Sequence, residues 1–192
     1  MKNIFNSVKI PKHKESFFDL SHDHKTSFKM GQLVPLLCQE AIPGDKFTVG
    51  AEALMRMAPV LSPVMHRVNI AIHHFFVPNR IVWSNWEDFI TDNGTHVHPF
   101  INKVEGLEDN SLASYFGIPP SIPGTENINA LPIAAYFKIY DEWYRDQNLI
   151  TEKFIDLADG DNTANYSAKL AAEPLRRAWE HDYFTSCLPF AD

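Results

Sequence analysis

Cysteine is scarce in this sequence. Only Cys38 and Cys187 occur, 149 positions apart, and neither belongs to a C-x-x-C pair. That excludes a disulfide framework and a cysteine-built zinc or redox site, and it fits a reducing compartment. Glycine is also sparse, at 8 residues, and forms neither a phosphate-cradling loop nor G-x-G-x-x-G. G-x-S-x-G and H-E-x-x-H are absent, which removes the commonest hydrolase signatures. No run approaches the roughly 18 apolar residues of a membrane span. The opening MKNIFNSVKIPKHK has no uninterrupted apolar stretch and does not read as a signal peptide. No repeat period and no low-complexity tract is visible.

Aromatic and apolar side chains are plentiful. The 192 residues are 45% hydrophobic, with Phe 14 times, enough to bury a core and to furnish large packed interfaces. Thirteen prolines are scattered along the chain and punctuate it without forming a Pro-rich linker. The net charge of −7 is uneven. Residues 1–96 carry 10 basic and 9 acidic side chains, residues 97–192 carry 7 and 15. Lys2, Lys9, Lys12 and Lys14 all precede the first acid, Glu15. A wholly basic surface for nucleic acid is thereby excluded, while a short basic segment that touches phosphate or a neighbouring surface is not.

The pattern predicts an extended N-terminal arm over residues 1–20, then one domain over 21–192. Strands are expected near 26–41, 46–56 and 66–77, interrupted by Pro35 and by a turn at Pro43-Gly44-Asp45. In HRVNIAIHHFFVPNR (66–80), alternation puts Val68, Ile70, Ile72, His74 and Phe76 on one face. Asn69, Ala71, His73, Phe75 and Val77 fall on the other. Helical spacing and a Ser84/Glu87 capping box predict a helix over 83–92. A short helix is expected at SLASYFG (111–117), and the longest over 131–146, with Asn129 as cap and Pro132 in its first turn. Residues 151–167 read as an acidic loop, and Pro174 as the start of a last short helix through Trp179.

Nine histidines raise the question of a metal. His22/His24 and His96/His98 could each present two rings to one ion if extended, whereas adjacent His73 and His74 point apart. Asp156, Asp159 and Asp161 around Gly160 are a faint calcium-loop candidate, lacking the full ligand spacing. Cys187 with His181 is a formal thiol–imidazole pair without a family signature. A metal-dependent hydrolase built on the histidines, and a cellular jelly-roll carbohydrate-binding domain, are the alternatives to the reading that follows.

Several stretches together resemble the major capsid protein of microviruses, the Microviridae, closest to the gokushovirus branch. They are FDLSHDHKTSFKMGQLVP (18–35), CQEAIPGDKF (38–47), APVLSPVMHRVNIAIHHFFVPNRIVWSNWEDFITDNG (58–94) and HDYFTSCLPF (181–190). The motif residues are Phe18, Asp19, Ser21, His22 and Asp23; Pro43, Gly44 and Asp45; Val77, Pro78, Asn79 and Arg80; and Trp83, Trp86, Glu87, Asp88 and Phe89. VPNR followed by W-x-x-W-E-D-F carries most of the specificity.

The resemblance implies a mainly β fold: an antiparallel jelly-roll β-sandwich of viral coat type with long loop and helical insertions, only partly contained in this N-terminal portion. It implies a bacteriophage coat subunit that self-assembles into a T=1 icosahedral shell around circular single-stranded DNA. Its partners would be copies of itself, other virion proteins, the DNA genome and, through the particle, the host-cell surface, with no membrane span. The location would be the virion, and the host cytoplasm during assembly. No enzyme activity, catalytic residue, metal or cofactor is implied. Lys2, Lys9, Lys12 and Lys14 are the candidates for contact with the genome or inner surface.

Overall fold

The computed structural model describes residues 14–102, 107–119 and 127–187. Among the described residues, the first helix or sheet strand begins at Asn79. In order there follow α1 (Asn79–Val82), α2 (Trp86–Ile90), β1 (Phe100–Ile101), α3 (Leu112–Tyr115), β2 (Ile128–Asn129), α4 (Leu131–Trp143) and α5 (Thr163–Ala171). These elements and their connections make a small body. Residues 14–76 form a long strap without a helix or a sheet strand of its own.

The body is organised by α4. Its apolar residues Ile133, Phe137 and Tyr140 recur at helical spacing and are buried, as are Leu131 and Ala134. Asn129 Oδ1 accepts the free backbone N–H of Leu131 at 2.9 Å, and Pro132 sits where no helical N–H is needed. The helix stops at Trp143, short of the expected 146. Asp146 Oδ1 accepts from the N–H groups of Asn148 (3.0 Å) and Leu149 (3.1 Å), so a side-chain turn replaces the next helical turn.

Around α4 pack Val82 and Trp83 from the α1 end, Ile101 of β1, Leu112 and Ala113 of α3, and Tyr166 and Leu170 of α5. β1 pairs antiparallel with β2, Phe100 opposite Asn129 and Ile101 opposite Ile128. The short helix expected at 111–117 is α3, its first turn capped by Ser111.

Three expectations are corrected. The helix expected over 83–92 is two short pieces, α1 and α2, and Ser84 caps neither: α2 starts after Asn85 without a side-chain cap. Trp83 lies between them because its ring is drawn into the core. The acidic loop of 151–167 gives way at Thr163 to α5, which the Asp159-Gly160-Asp161-Asn162 run masked in the sequence. Tyr166 and Leu170, four residues apart, are both fully buried and supply its apolar stripe.

The helix expected from Pro174 is instead extended, because its backbone is used elsewhere. Leu33 N–H donates to Leu175 O (2.8 Å) and Arg177 N–H donates to Gly31 O (3.0 Å). The segments 26–41, 46–56 and 66–77, expected as strands, are extended, with no ladder along them within this chain. Among the described residues only Gln32 forms a bridge, with Arg176. A strand needs a parallel or antiparallel neighbour about 4.8 Å away, and the body offers one short edge. The turn at Pro43-Gly44-Asp45 is present: Asp45 N–H reaches Ile42 O at 3.1 Å, and Gly44 has φ +99°.

Leu170→Ala is expected to destabilise the body by about 2–5 kcal/mol, the range for emptying a packed leucine site. The expected readout is a lower urea midpoint for the loss of near-ultraviolet dichroism.

Candidate assembly surface

Trp83 links the specific VPNR–W-x-x-W segment to the acidic turn on the far side of the body. Pro78 precedes α1, and Trp83 N–H closes that helix on Asn79 O at 2.9 Å. The indole is fully buried, and its Nε1–H donates to Asp159 Oδ1 at 2.9 Å. Asn85 Nδ2 donates to the same oxygen at 3.0 Å, and His96 Nδ1 lies 2.7 Å from Asp159 Oδ2. These partners, Asn85 and His96 foremost, hold the Asp159 carboxyl below its ordinary value of 3.8. Trp86, Phe89 and His98 complete an edge-on aromatic cluster against Trp83, with centroids 5.2–6.2 Å apart.

The acidic turn is itself closed. Asn162, buried, accepts from Ala158 N–H and donates to Ala158 O and Gly160 O at 2.8–3.0 Å. Gly160 has φ +76°, a left-handed conformation suited to glycine. Asp161 Oδ1 accepts from Thr163 N–H at 2.8 Å and from its hydroxyl. The carboxylates of Asp159 and Asp161 are therefore engaged with different partners, and they do not form the calcium loop considered from sequence.

The strap contrasts with this closed body. Phe17, Phe18, Leu54, Leu61, Met65 and Phe76 are among its strongly exposed apolar side chains. It is attached at two places. At the first, Tyr115 Oη donates to Ser27 O (2.7 Å) and Tyr136 Oη to Leu33 O (2.9 Å), while Leu175 N–H donates to Tyr136 Oη (3.0 Å). Lys29 Nζ and Glu173 Oε1 add an ion pair at 2.5 Å. Burial pushes the Tyr136 phenol up from its ordinary value, so it stays protonated and can donate at any physiological pH.

At the second, the His73 ring stacks on Tyr144 (5.8 Å, 8° between planes) and is hydrogen-bonded to its hydroxyl. Phe75 packs against Trp143 and Tyr144. The odd-numbered face of 66–77 thus meets the end of α4. On the even face Ile70, Ile72 and Phe76 are exposed, Phe76 most of all, while Phe75 on the odd face also keeps part of its surface open.

The other sequence candidates fall as follows. His22 and His24 are exposed, and His22 Nδ1 is within 2.9 Å of Leu20 O. His96 turns to Asp159 and His98 to the Trp83 ring, so that pair does not converge on an ion. Among the described residues, no three His, Cys, Asp or Glu side chains are placed to hold a metal, and no hydrogen bond joins His181 to Cys187. Lys2, Lys9 and Lys12 lie outside the described residues; Lys14 is exposed.

Of the motif residues, Phe18 is exposed, and Asp19 accepts from Ser21 N–H at 3.0 Å. Asp23 is exposed in the strap, Arg80 is exposed on α1, and Val77 packs on the core. Glu87 O and Asp88 Oδ1 accept from Thr91 and Asn93 and so finish α2. Sequence reasoning weighed Asp159 only as a calcium ligand and missed Asn85, Tyr115, Tyr136 and Glu173. Their pairing spans 74 or more positions for Asn85–Asp159 and 141–144 for the Glu173 contacts. The only local signal was the Asp-Gly-Asp-Asn turn.

The described residues thus divide into a closed body and a strap that leaves large apolar side chains exposed. Residues 6–192 match the capsid protein (F protein) family, and the chain belongs to that family. It is 36% identical to capsid protein VP1 of Chlamydia phage 1 over 98% of its length and 40% identical to capsid protein VP1 of Bdellovibrio phage phiMH2K over 91%. Against capsid protein VP1 of Spiroplasma virus 4 it is 30% identical over 97%. These matches cover 33–36% of the relatives, so the chain spans about a third of their length. The family is one of structural proteins, not enzymes, and lends nothing to a hydrolase reading.

Asp159→Asn is expected to change the acid limb of stability. A carboxyl held below its ordinary value stabilises the fold above pH about 4, and that contribution is lost as pH falls through the depressed value. The variant should be less stable at pH 7 and show a shallower loss below pH 4, read from urea midpoints across pH 2–7.

Proposed function

We propose that this chain is part of a major capsid protein that self-assembles into a T=1 icosahedral shell enclosing a single-stranded DNA genome. The observation that carries the reading is the strap, whose exposed apolar side chains ask for burial. Burying one such side chain contributes about 1.5–3 kcal/mol, and closed symmetry repeats each contact around the shell. Membership of the capsid protein (F protein) family supports the same reading.

In this reading the scaffold is an antiparallel jelly roll, and segments 26–41, 46–56 and 66–77 are strands that pair with polypeptide beyond the chain described. The free even face of 66–77 faces the sandwich interior. The other partners are further virion proteins, the genome and, through the finished particle, the host surface. The protein assembles in the host cytoplasm and resides in the virion. Lys2, Lys9, Lys12 and Lys14 contact the genome or the inner surface of a neighbour.

Electron microscopy of the full-length protein is expected to show closed particles. Ile72→Asp with Phe76→Asp should abolish them while the Trp83 fluorescence of the body is kept. Particles from that variant would remove the strap from assembly. A Lys→Gln change at all four arm lysines should lower the DNA content per particle. Unchanged DNA content and yield would remove the arm from packaging.

A further inference from the structure

We propose that the strap is exchangeable: residues 27–33 of one copy seat in the groove formed by Tyr115, Tyr136 and residues 173–177 of a second copy. The partner surface is thus the same clamp that holds the strap within one chain.

Three observations support exchange. First, the seat is shallow and polar. It consists of the tyrosine hydroxyls on Ser27 O and Leu33 O, the Lys29–Glu173 pair, the contacts of Gln32 and Arg176, and a two-bond backbone bridge. Only residues 32–35 of this part of the strap are even half-buried. No deep apolar anchor commits the strap to its own body.

Second, the connection does not force attachment within one chain. The 37 residues 36–72 run between the two attachment points, and extended they reach roughly 120 Å. A body of about 100 residues has a radius of gyration near 13 Å. The next firm attachment is His73 on Tyr144. The same bonds can therefore form with a neighbour, and exchange of an identical element is an inexpensive route to association.

Third, closing a long loop on itself costs entropy that grows with its length. Between crowded copies the two arrangements differ little in contacts, so concentration decides between them. This step alone rests on the coat-protein reading, which supplies the crowding.

The bridge geometry provides the test. Gln32 and Arg176 face each other with the flanking residues exchanging both hydrogen bonds. That is the close, non-hydrogen-bonded type of antiparallel pair, with Cα atoms about 4.5 Å apart, within disulfide reach. In the full-length protein, Cys38 and Cys187 are first replaced by serine. One tagged copy then carries Gln32→Cys and a differently tagged copy carries Arg176→Cys. The two are co-expressed, assembled and mildly oxidised. Neither can form this bond alone, so a band on a non-reducing gel that carries both tags and disappears on reduction reports exchange. The expected result is that band in assembled material, falling at least tenfold on dilution of the mixture before assembly.

A copy carrying both cysteines checks the seat itself. If it closes only within one chain, and the mixed copies give no joint band, the proposal is overturned. Absence of the joint band overturns it equally if the double variant fails to oxidise, because the seat is then not a stable pairing. A charge-swapped mixture, Lys29→Glu in one copy and Glu173→Lys in the other, restores the ion pair only between copies and is expected to raise the joint band; no rise counts against exchange. Microscopy of the same samples reads the coat-protein proposal separately: a joint band without particles keeps exchange and removes the shell.

Discussion

A buried indole must place its N–H on an acceptor inside the protein, since an unpaired donor there costs about 1–3 kcal/mol. Trp83 is fully buried, and Asp159 is its acceptor. That one requirement fixes the end of α1 against the turn before α5. The same carboxylate gathers Asn85 and His96, while Asn162 and Gly160 hold the turn that presents it. With both ends joined, Val82, Ile101, Phe137 and Leu170 have a common volume to fill.

A second charged pair does similar service at the other end of α4. Asp141 and Arg145 are both largely buried and 3.4 Å apart. Asp141 Oδ2 accepts from the N–H groups of Lys153 (2.8 Å) and Phe154 (2.6 Å), and Arg145 donates to Ile150 O (2.6 Å). The connection 150–154 is thus held by Asp141 of the helix it leaves and by Arg145 just past the end of that helix. Nearby, Lys169 extends over the rings of Phe137 and Tyr166 to Lys153 O (2.6 Å), and burial lowers its pKa. Burial pushes the Tyr166 phenol up to about 12, and its hydroxyl stays bonded to Ile155 O. Polar groups tie the connections; apolar groups tie the helices.

Much of this was legible where the signal is local. The 131–143 helix follows from its apolar spacing, Asn129 and Pro132; α3 follows from Ser111; the Pro43-Gly44-Asp45 turn follows from its residues. The alternation in 66–77 separated the face that meets Tyr144 from the one left open. What failed was long-range. Nothing beside Tyr136 announces Leu33 or Leu175 as partners, and nothing beside Trp83 announces Asp159. Helix α5 was hidden because its two core residues stand behind four turn-forming ones. Along 26–77 the chain is extended, as the sequence suggests, while the neighbour that would make a ladder is nowhere encoded locally.

The prolines of the strap acquire a meaning from this. An extended, exposed, apolar chain is a template for indiscriminate pairing with other chains, and proline denies such a template its backbone donors. Pro35, Pro43, Pro59 and Pro63 interrupt the strap at intervals. The longer proline-free stretches 12–34 and 44–58 carry charges of both signs, whereas residues 64–77, before Pro78, have neither proline nor acid and are rich in β-branched and aromatic residues. This is the composition that stacks into fibrils. It is also the stretch whose one face rests on Trp143 and Tyr144. The stretch with least protection in its sequence is thus the one whose odd-numbered face the end of α4 covers.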